Sequence, residues 1–234
     1  MNIENSVVLV TGANRGIGLA FARELLARGA RKVYAAARDP ATVTLPGVHA
    51  LRLDVTKPEE IAAAARVATD VNLVINNAGI AQVGGFLADD SEEVARRIFE
   101  TNFFGVLNVS KAFAPVLNSN GGGALINVLS VASWINGAEL AAYSASKSAA
   151  WSLTNALRHE LASQKTQVLG LHMAGVDTDL TRGFEIPKTS PEEIVQRALD
   201  GLADGADEVL ADAFTEQVRR GLTAPRPAYL PQAQ

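Results

Sequence analysis

The stretch Val7-Val8-Leu9-Val10-Thr11-Gly12-Ala13-Asn14-Arg15-Gly16-Ile17-Gly18 decides how the rest of the chain is read. Val7 to Val10 is apolar without alternation, the pattern of a strand buried on both faces. Leu19 to Arg28 continues as a helix, with Ile17, Phe21, Leu25 and Arg28 at helical spacing, and Gly29 stops it. Between them lies a glycine-rich turn. Glycines let a backbone turn sharply and approach a pyrophosphate closely, and the first turn of the next helix offers free N–H groups to it. Strand, glycine turn and helix in that order point to a dinucleotide or another phosphate ligand. The alternative is a tight turn with no ligand.

Outward from this unit, strands and helices alternate. Lys32–Ala37, His49–Val55, Leu73–Ile75, Ala124–Leu129, Gln167–Met173 and Glu208–Leu210 read as further strands. Helices are expected from Thr56, as N-cap, to about Thr69, over Ser91–Leu117 and over Ala142–Ser163. Another starts at Ser190-Pro191, and a turn or two covers Phe214–Leu222. This pattern predicts an α/β fold of Rossmann type, doubly wound, with a mainly parallel seven-stranded sheet and helices on both faces. Ligands of such a sheet bind beyond the carboxyl ends of the strands. The glycine turn, Arg38, Asp54, Asn76, Ser130 and Ala174–Thr178 all follow strands and would gather along that edge.

The chain has 234 residues, 48% hydrophobic and 20% charged. That is ordinary globular composition, and residues 1–234 are read as one domain with residues 224–234 as a loose Pro-rich tail. Cysteine is absent, which excludes disulfides, thiolate nucleophiles and cysteine metal sites. Three histidines argue against a histidine metal cluster, and a net charge of −4 argues against nucleic acid as a main partner. With no signal-like start and no run of apolar residues long enough to span a bilayer, a soluble cytoplasmic protein without a membrane partner is expected.

Several residues carry candidate chemistry. Tyr143 and Lys147 stand four apart at the start of a helix, hence on one face. An ammonium beside a phenol favours the phenolate, and Ser130 upstream offers a hydroxyl to a substrate oxygen. Arg38, leaving the second strand, suits a ribose 2′-phosphate, and Arg15 in the glycine turn can join it. Asp39 complicates that reading, and the alternative is a pair of solvated arginines. Asp54 either meets an adenine or closes its strand. Asn102 sits mid-helix, where asparagine is normally exposed, but the neighbouring Phe103, Phe104 and Gly105 allow a buried role. His172, alternating with Leu171 and Met173, reads as structural.

These motifs, in this order, resemble the short-chain dehydrogenase/reductase family over nearly the whole chain. Thr11–Gly18 resembles its TGxxxGxG turn, Asp54-Val55 its adenine-site dipeptide, and Asn76-Asn77-Ala78-Gly79 its NNAG. Asn102, Ser130, Tyr143 and Lys147 match its catalytic tetrad. The resemblance implies Tyr143 as general acid/base and Lys147 lowering its pKa while holding the nicotinamide ribose. Ser130 would orient the substrate carbonyl, and Asn102 a water of the proton relay. Gly12, Asn14, Arg15, Gly16, Ile17, Gly18, Arg38, Asp54, Val55, Asn76, Ala78, Gly79, Val176 and Thr178 would contact the cofactor, NADP(H) in preference to NAD(H). One departure stands out: the family usually has Pro-Gly after the sixth strand, and this chain has Ala174-Gly175.

The segment Asp179–Thr189, where such proteins close over substrate, is short, which predicts an open pocket. Ala81, Val131, Trp134, Ile135, Leu140, Phe184 and Ile186 are its candidate lining. Their apolar character favours a hydrophobic ketone, aldehyde or secondary alcohol. The expected activity is an NADPH-dependent carbonyl reductase, reversible as an alcohol dehydrogenase. The alternatives are an NADP(H)-binding sensor, or an epimerase or dehydratase on the same fold. By the same resemblance the two long helices would pair with a second subunit in a homodimer or homotetramer.

Overall fold

The computed structural model describes residues 1–137 and 139–230. Seven strands form one sheet: β1 (Val7–Thr11), β2 (Lys32–Ala37), β3 (His49–Arg52), β4 (Leu73–Asn76), β5 (Gly123–Val128), β6 (Thr166–His172) and β7 (Glu208–Leu210). Their order is β3-β2-β1-β4-β5-β6-β7 and every pairing is parallel. The order reverses between β1 and β4, which makes the carboxyl edge of those two strands the switch point where ligands of such sheets bind.

Helices α1 (Gly16–Ala27) and α6 (Pro191–Ala203) cover one face. The other carries α2 (Pro58–Val67), α4 (Val106–Ser119) and α5 (Ala141–Leu161). Period-two alternation within β1 divides the core. Val8 and Val10 pack toward Phe21, Leu25, Ile194 and Leu199. Val7 and Leu9 pack toward Ile61, Phe113, Leu117 and Leu157. A strand buried on both faces needs apolar residues at every position, which is why VVLV reads as a continuous run. Each fully buried aliphatic or aromatic side chain stabilises the fold by about 1.5–3 kcal/mol. No helix among the described residues is long and apolar enough to cross a membrane, and no group of His, Asp and Glu among them is arranged to hold a metal ion.

Boundaries differ from the sequence reading in ways that have local causes. The first helix begins at Gly16, inside the glycine turn, and β3 stops at Arg52 rather than Val55. Thr56 does not cap α2. Lys57 takes that position and Pro58 starts the helix, because the Thr56 hydroxyl is spent on Asp54 Oδ1 at 2.8 Å. Ser190 does cap α6, accepting from Glu193 N at 3.2 Å. The expected Ser91–Leu117 helix is α3 (Ser91–Phe99), a π-helical stretch over Glu100–Gly105, and then α4. The last helix, α7 (Ala213–Gly221), has nine residues and is capped by Asp212. Of the tail 224–234, residues up to 230 are described. They turn back on α7, with Ala228 N donating to Gly221 O at 2.9 Å; the remainder lies outside the described residues.

Candidate active site

The glycine turn is built for close approach. Gly12 and Gly16 have φ of +65° and +53°, a region that side chains rarely adopt. A Cβ on Gly18 would stand 2.2 Å from the Gly12 carbonyl oxygen, so only glycine lets α1 start this close to β1. The N-terminus of α1 has no side-chain cap and no acidic residue in its first turn. Its N–H groups and positive dipole end are therefore available to an anion. Asn77 fastens the turn from behind: its Nδ2 donates to Thr11 O at 2.9 Å and Gly12 O at 3.2 Å.

Asn77, not Asn76, thus serves this turn. Asn76 is buried and directed along the sheet, donating to Asn127 Oδ1 at 2.9 Å and Ser110 Oγ at 3.1 Å. Both of its amide hydrogens are therefore used inside the core. Ala78 packs directly against Gly12. Asn14 donates to Thr42 Oγ1 at 3.1 Å, tying the turn to the loop after β2. Ile17 packs into the core beneath it.

At the end of β2 Arg38 is exposed. Asp39, which complicated its reading, turns away and caps a short 3₁₀ turn by accepting from Ala41 N at 3.0 Å. Arg15 reaches across the cleft to Asp179 at 3.0 Å, with both side chains largely exposed. Such an exposed pair contributes about 1 kcal/mol or less. Beyond β3, Asp54 holds the residue two positions on: Oδ1 accepts from Thr56 N at 3.0 Å and Thr56 Oγ1 at 2.8 Å. Burial alone would raise its pKa. The two Thr56 hydrogen bonds and the charges of Arg38 and Lys57 outweigh it, so the carboxyl lies below its ordinary value. Val55 packs on Gly105, which has no Cβ to spare there.

The tetrad converges from three elements. Tyr143 and Lys147 lie one turn apart on α5, and the ammonium is 5.8 Å from the phenol ring centre. Lys147 Nζ donates to Val128 O at 2.7 Å, just before Ser130. Burial lowers the Lys147 pKa to about 8. Tyr143 is pushed upward by burial, partly offset by the Ser130 hydroxyl. Asn102 is fully buried in the π-helical stretch. Its Oδ1 accepts from Ile80 N at 2.9 Å, and its Nδ2 donates to Ile80 O at 2.9 Å and Ser146 Oγ at 3.0 Å. A Cβ on Gly79 would sit 3.4 Å from Asn102 Oδ1 and 3.8 Å from Lys147 Nζ, so both groups face that glycine. Ser146, overlooked in the sequence, anchors Asn102 to α5 through its own bond to Tyr143 O at 2.7 Å.

The loop after β6 closes the site from the other side. Thr178 Cγ2 stands 3.4 Å from where a Gly16 Cβ would be, directly across the glycine turn. Val176 pairs with Thr189, and Ile186 folds onto Gly175, so Asp179–Thr189 is a pinned loop rather than a free linker. Leu140 precedes α5 and bridges to Gly84. The other candidate lining residues divide. Phe184 and Ala81 are partly buried, and Ile186 is exposed. Val131 and Trp134 pack with Val218 of α7, and Ile135 packs against them. Trp134 stacks on His172 at 4.1 Å. His172 is fully buried, as a structural histidine should be. Its Nδ1 lies 3.3 Å from Ser130 O, and its Nε2 is 3.6 Å from Glu208, longer than a hydrogen bond. Glu208 accepts from Trp151 Nε1 at 3.1 Å and Arg219 at 3.0 Å.

Comparison with known proteins places the chain in a family. The short chain dehydrogenase family profile matches residues 6–188. The 3-oxoacyl-acyl-carrier-protein reductase FabG of Vibrio cholerae is 31% identical over 98% of this chain and 94% of its own. A short chain dehydrogenase from Burkholderia cenocepacia, solved with NADP, is 41% identical over 97% of this chain and 96% of its own, with a TM-score of 0.93. A short chain dehydrogenase/reductase from Burkholderia phymatum, solved with NAD, shares the fold at 22% identity, a TM-score of 0.83 and full coverage of both chains. With the family profile covering most of its length and a relative at 31% identity matching nearly all of it, the chain belongs to the short-chain dehydrogenase/reductase family and is an oxidoreductase.

Proposed function

We propose that the protein is an NADPH-dependent carbonyl reductase, acting in reverse as an alcohol dehydrogenase on apolar ketones, aldehydes or secondary alcohols. One observation carries this reading: Tyr143 and Lys147 open α5 beside Ser130, and Lys147 faces Asn102 across Gly79. The chain fits the cofactor, because the α1 N-terminus is uncapped and Gly12, Gly16 and Gly18 leave its approach clear. Bound NADPH supplies the hydride. Tyr143 gives its proton to the carbonyl oxygen, and Ser130 Oγ holds that oxygen in place. Lys147, held one helical turn away by its bond to Val128 O, favours the tyrosinate once the proton leaves. Asn102, fixed by Ile80 and Ser146, orients the route by which the proton is replaced. Arg38 and Arg15 support NADP(H), as does the NADP complex of the relative at 41% identity.

Oxidation of NADPH against a panel of ketones and aldehydes tests the reading, with Tyr143→Phe as control. Turnover with the wild type and its loss in Tyr143→Phe are expected. Tight NADPH binding without turnover on any carbonyl or alcohol would favour a sensor, and turnover persisting in Tyr143→Phe would overturn the mechanism. A soluble cytoplasmic homodimer or homotetramer assembled through α3, α4 and α5 belongs to the same proposal. Phe104 on that side is 42% exposed. A monomer in sedimentation would remove this part.

A further inference from the structure

The chain leaving β6 touches the site twice. Met173 O accepts from Val131 N at 2.8 Å and from Ser130 Oγ at 3.4 Å. Five residues after Met173, Thr178 faces Gly16 of the glycine turn. Whatever fixes residues 173–178 therefore fixes the Ser130 hydroxyl and one wall of the cofactor cleft together. Residue 174 is alanine, and unlike proline it carries an N–H that needs a partner. That N–H donates to Asp212 Oδ2 at 2.8 Å.

Asp212 is the N-cap of α7, and its carboxylate is divided between two tasks. Oδ1 accepts from Thr215 N at 2.8 Å, the capping bond itself. Oδ2 accepts from both Thr215 Oγ1 at 2.9 Å and Ala174 N. Thr215 is fully buried, so the carboxylate is held at a fixed place. Next to it, Ala211 N donates to His172 O at 2.8 Å and joins the same two segments.

We propose that Asp212 is a positioning residue for the reaction: through the Ala174 amide it locks Ala174–Thr178 in the place that a proline ring would otherwise set. The assignment of that segment to the nicotinamide side of the cleft rests on the function proposed above. An N-cap alone needs one side-chain oxygen; here the second oxygen restrains a loop on another element.

The test separates capping from positioning. Asp212→Ser keeps a good cap, but its single oxygen on a shorter stem cannot also reach Ala174 N. A misplacement of about 1 Å lowers turnover by up to about 100-fold. Loosening without displacement should lower kcat/KM by about tenfold and weaken NADPH binding severalfold, read by cofactor fluorescence, with little change in Tm. Asp212→Asn, which turns a donor toward the Ala174 amide, should do the same. Adding Ala174→Pro to Asp212→Ser removes the unsatisfied N–H and stiffens the loop, and should recover most of both losses. The proposal is overturned if Asp212→Ser binds NADPH and turns over like the wild type, if its losses appear only as a lower Tm, or if the double variant is worse than Asp212→Ser. The NADPH titration reads the loop even if no carbonyl is ever turned over, so failure of the proposed function and failure of this inference give different results.

Discussion

Replacing Lys147 by methionine should abolish turnover and yet leave the protein without cofactor as stable as the wild type or more so. Lys147 is 6% exposed, and its pKa is about 8 against an ordinary 10.5. That difference corresponds to about 3 kcal/mol for holding the charge at neutral pH. Methionine of similar length removes this penalty, but leaves Val128 O without the 2.7 Å bond it accepts, a loss of about 1–3 kcal/mol. The net expectation at pH 7 is a gain of about 0–2 kcal/mol. The pH dependence is the sharper signature. The folded pKa lies below the unfolded one, so between about 8 and 10.5 the unfolded chain binds more protons and wild-type stability rises with pH. The variant has no group to titrate there. Its advantage should shrink by about 2 kcal/mol between pH 7 and pH 10. Urea unfolding without cofactor at both values measures this. A variant clearly less stable than the wild type at pH 7, or a gap that ignores pH, would refute the claim that the cost of burying the ammonium exceeds what its bond to Val128 O returns.

Gly18→Ala places a Cβ 2.2 Å from the Gly12 carbonyl oxygen, so it should destabilise by at least about 3 kcal/mol and eliminate NADPH binding, read by thermal melting and cofactor fluorescence. Arg38→Leu should weaken NADPH by about 2 kcal/mol, some 30-fold, and leave NADH unchanged; an unaltered NADPH/NADH ratio would remove Arg38 from the 2′-phosphate. Glu208 is held at about 2 by the His172 nitrogen 3.6 Å away, against burial and with help from Trp151 and Arg219. Its contribution is complete above about pH 4.5 and is lost as pH falls toward 2, about 1–2 kcal/mol once solvent screening at a 22% exposed side chain is allowed for. Wild type and Glu208→Gln should therefore differ in urea midpoint at neutral pH and converge near pH 2.

The fold was legible because its signals are local. A run such as Val7–Val10 has no polar face, and Gly12, Gly16 and Gly18 are needed for backbone reasons that act within a few residues. Alternation of such runs with amphipathic helices leaves few topologies, and the observed order β3-β2-β1-β4-β5-β6-β7 is one of them. Helix starts were less legible where two residues compete for one hydroxyl. Thr56 looked like a cap but bonds Asp54, whereas Asp212, four positions before Glu216, is a true cap that the sequence reading passed over.

The site was legible by residue type and not by what each residue is bonded to, because those bonds span long stretches of chain. Asn76 and Asn77 are adjacent and chemically identical; only the pleat sends one into the sheet and the other to the glycine turn. Asn102 is poor in a helix interior on propensity. It is tolerated because the helix widens to π geometry over Glu100–Gly105 and because Ile80 and Ser146 satisfy the amide. The departure Ala174-Gly175 shows the same limit from the other side. Read alone, alanine in place of proline frees a backbone dihedral and loosens the cofactor loop. In the fold it also supplies an N–H, and a carboxylate 38 positions later takes it up. Whether a motif's missing residue weakens a site is therefore decided by the long-range partners its replacement acquires, and Asp212 is the residue at which that can be measured.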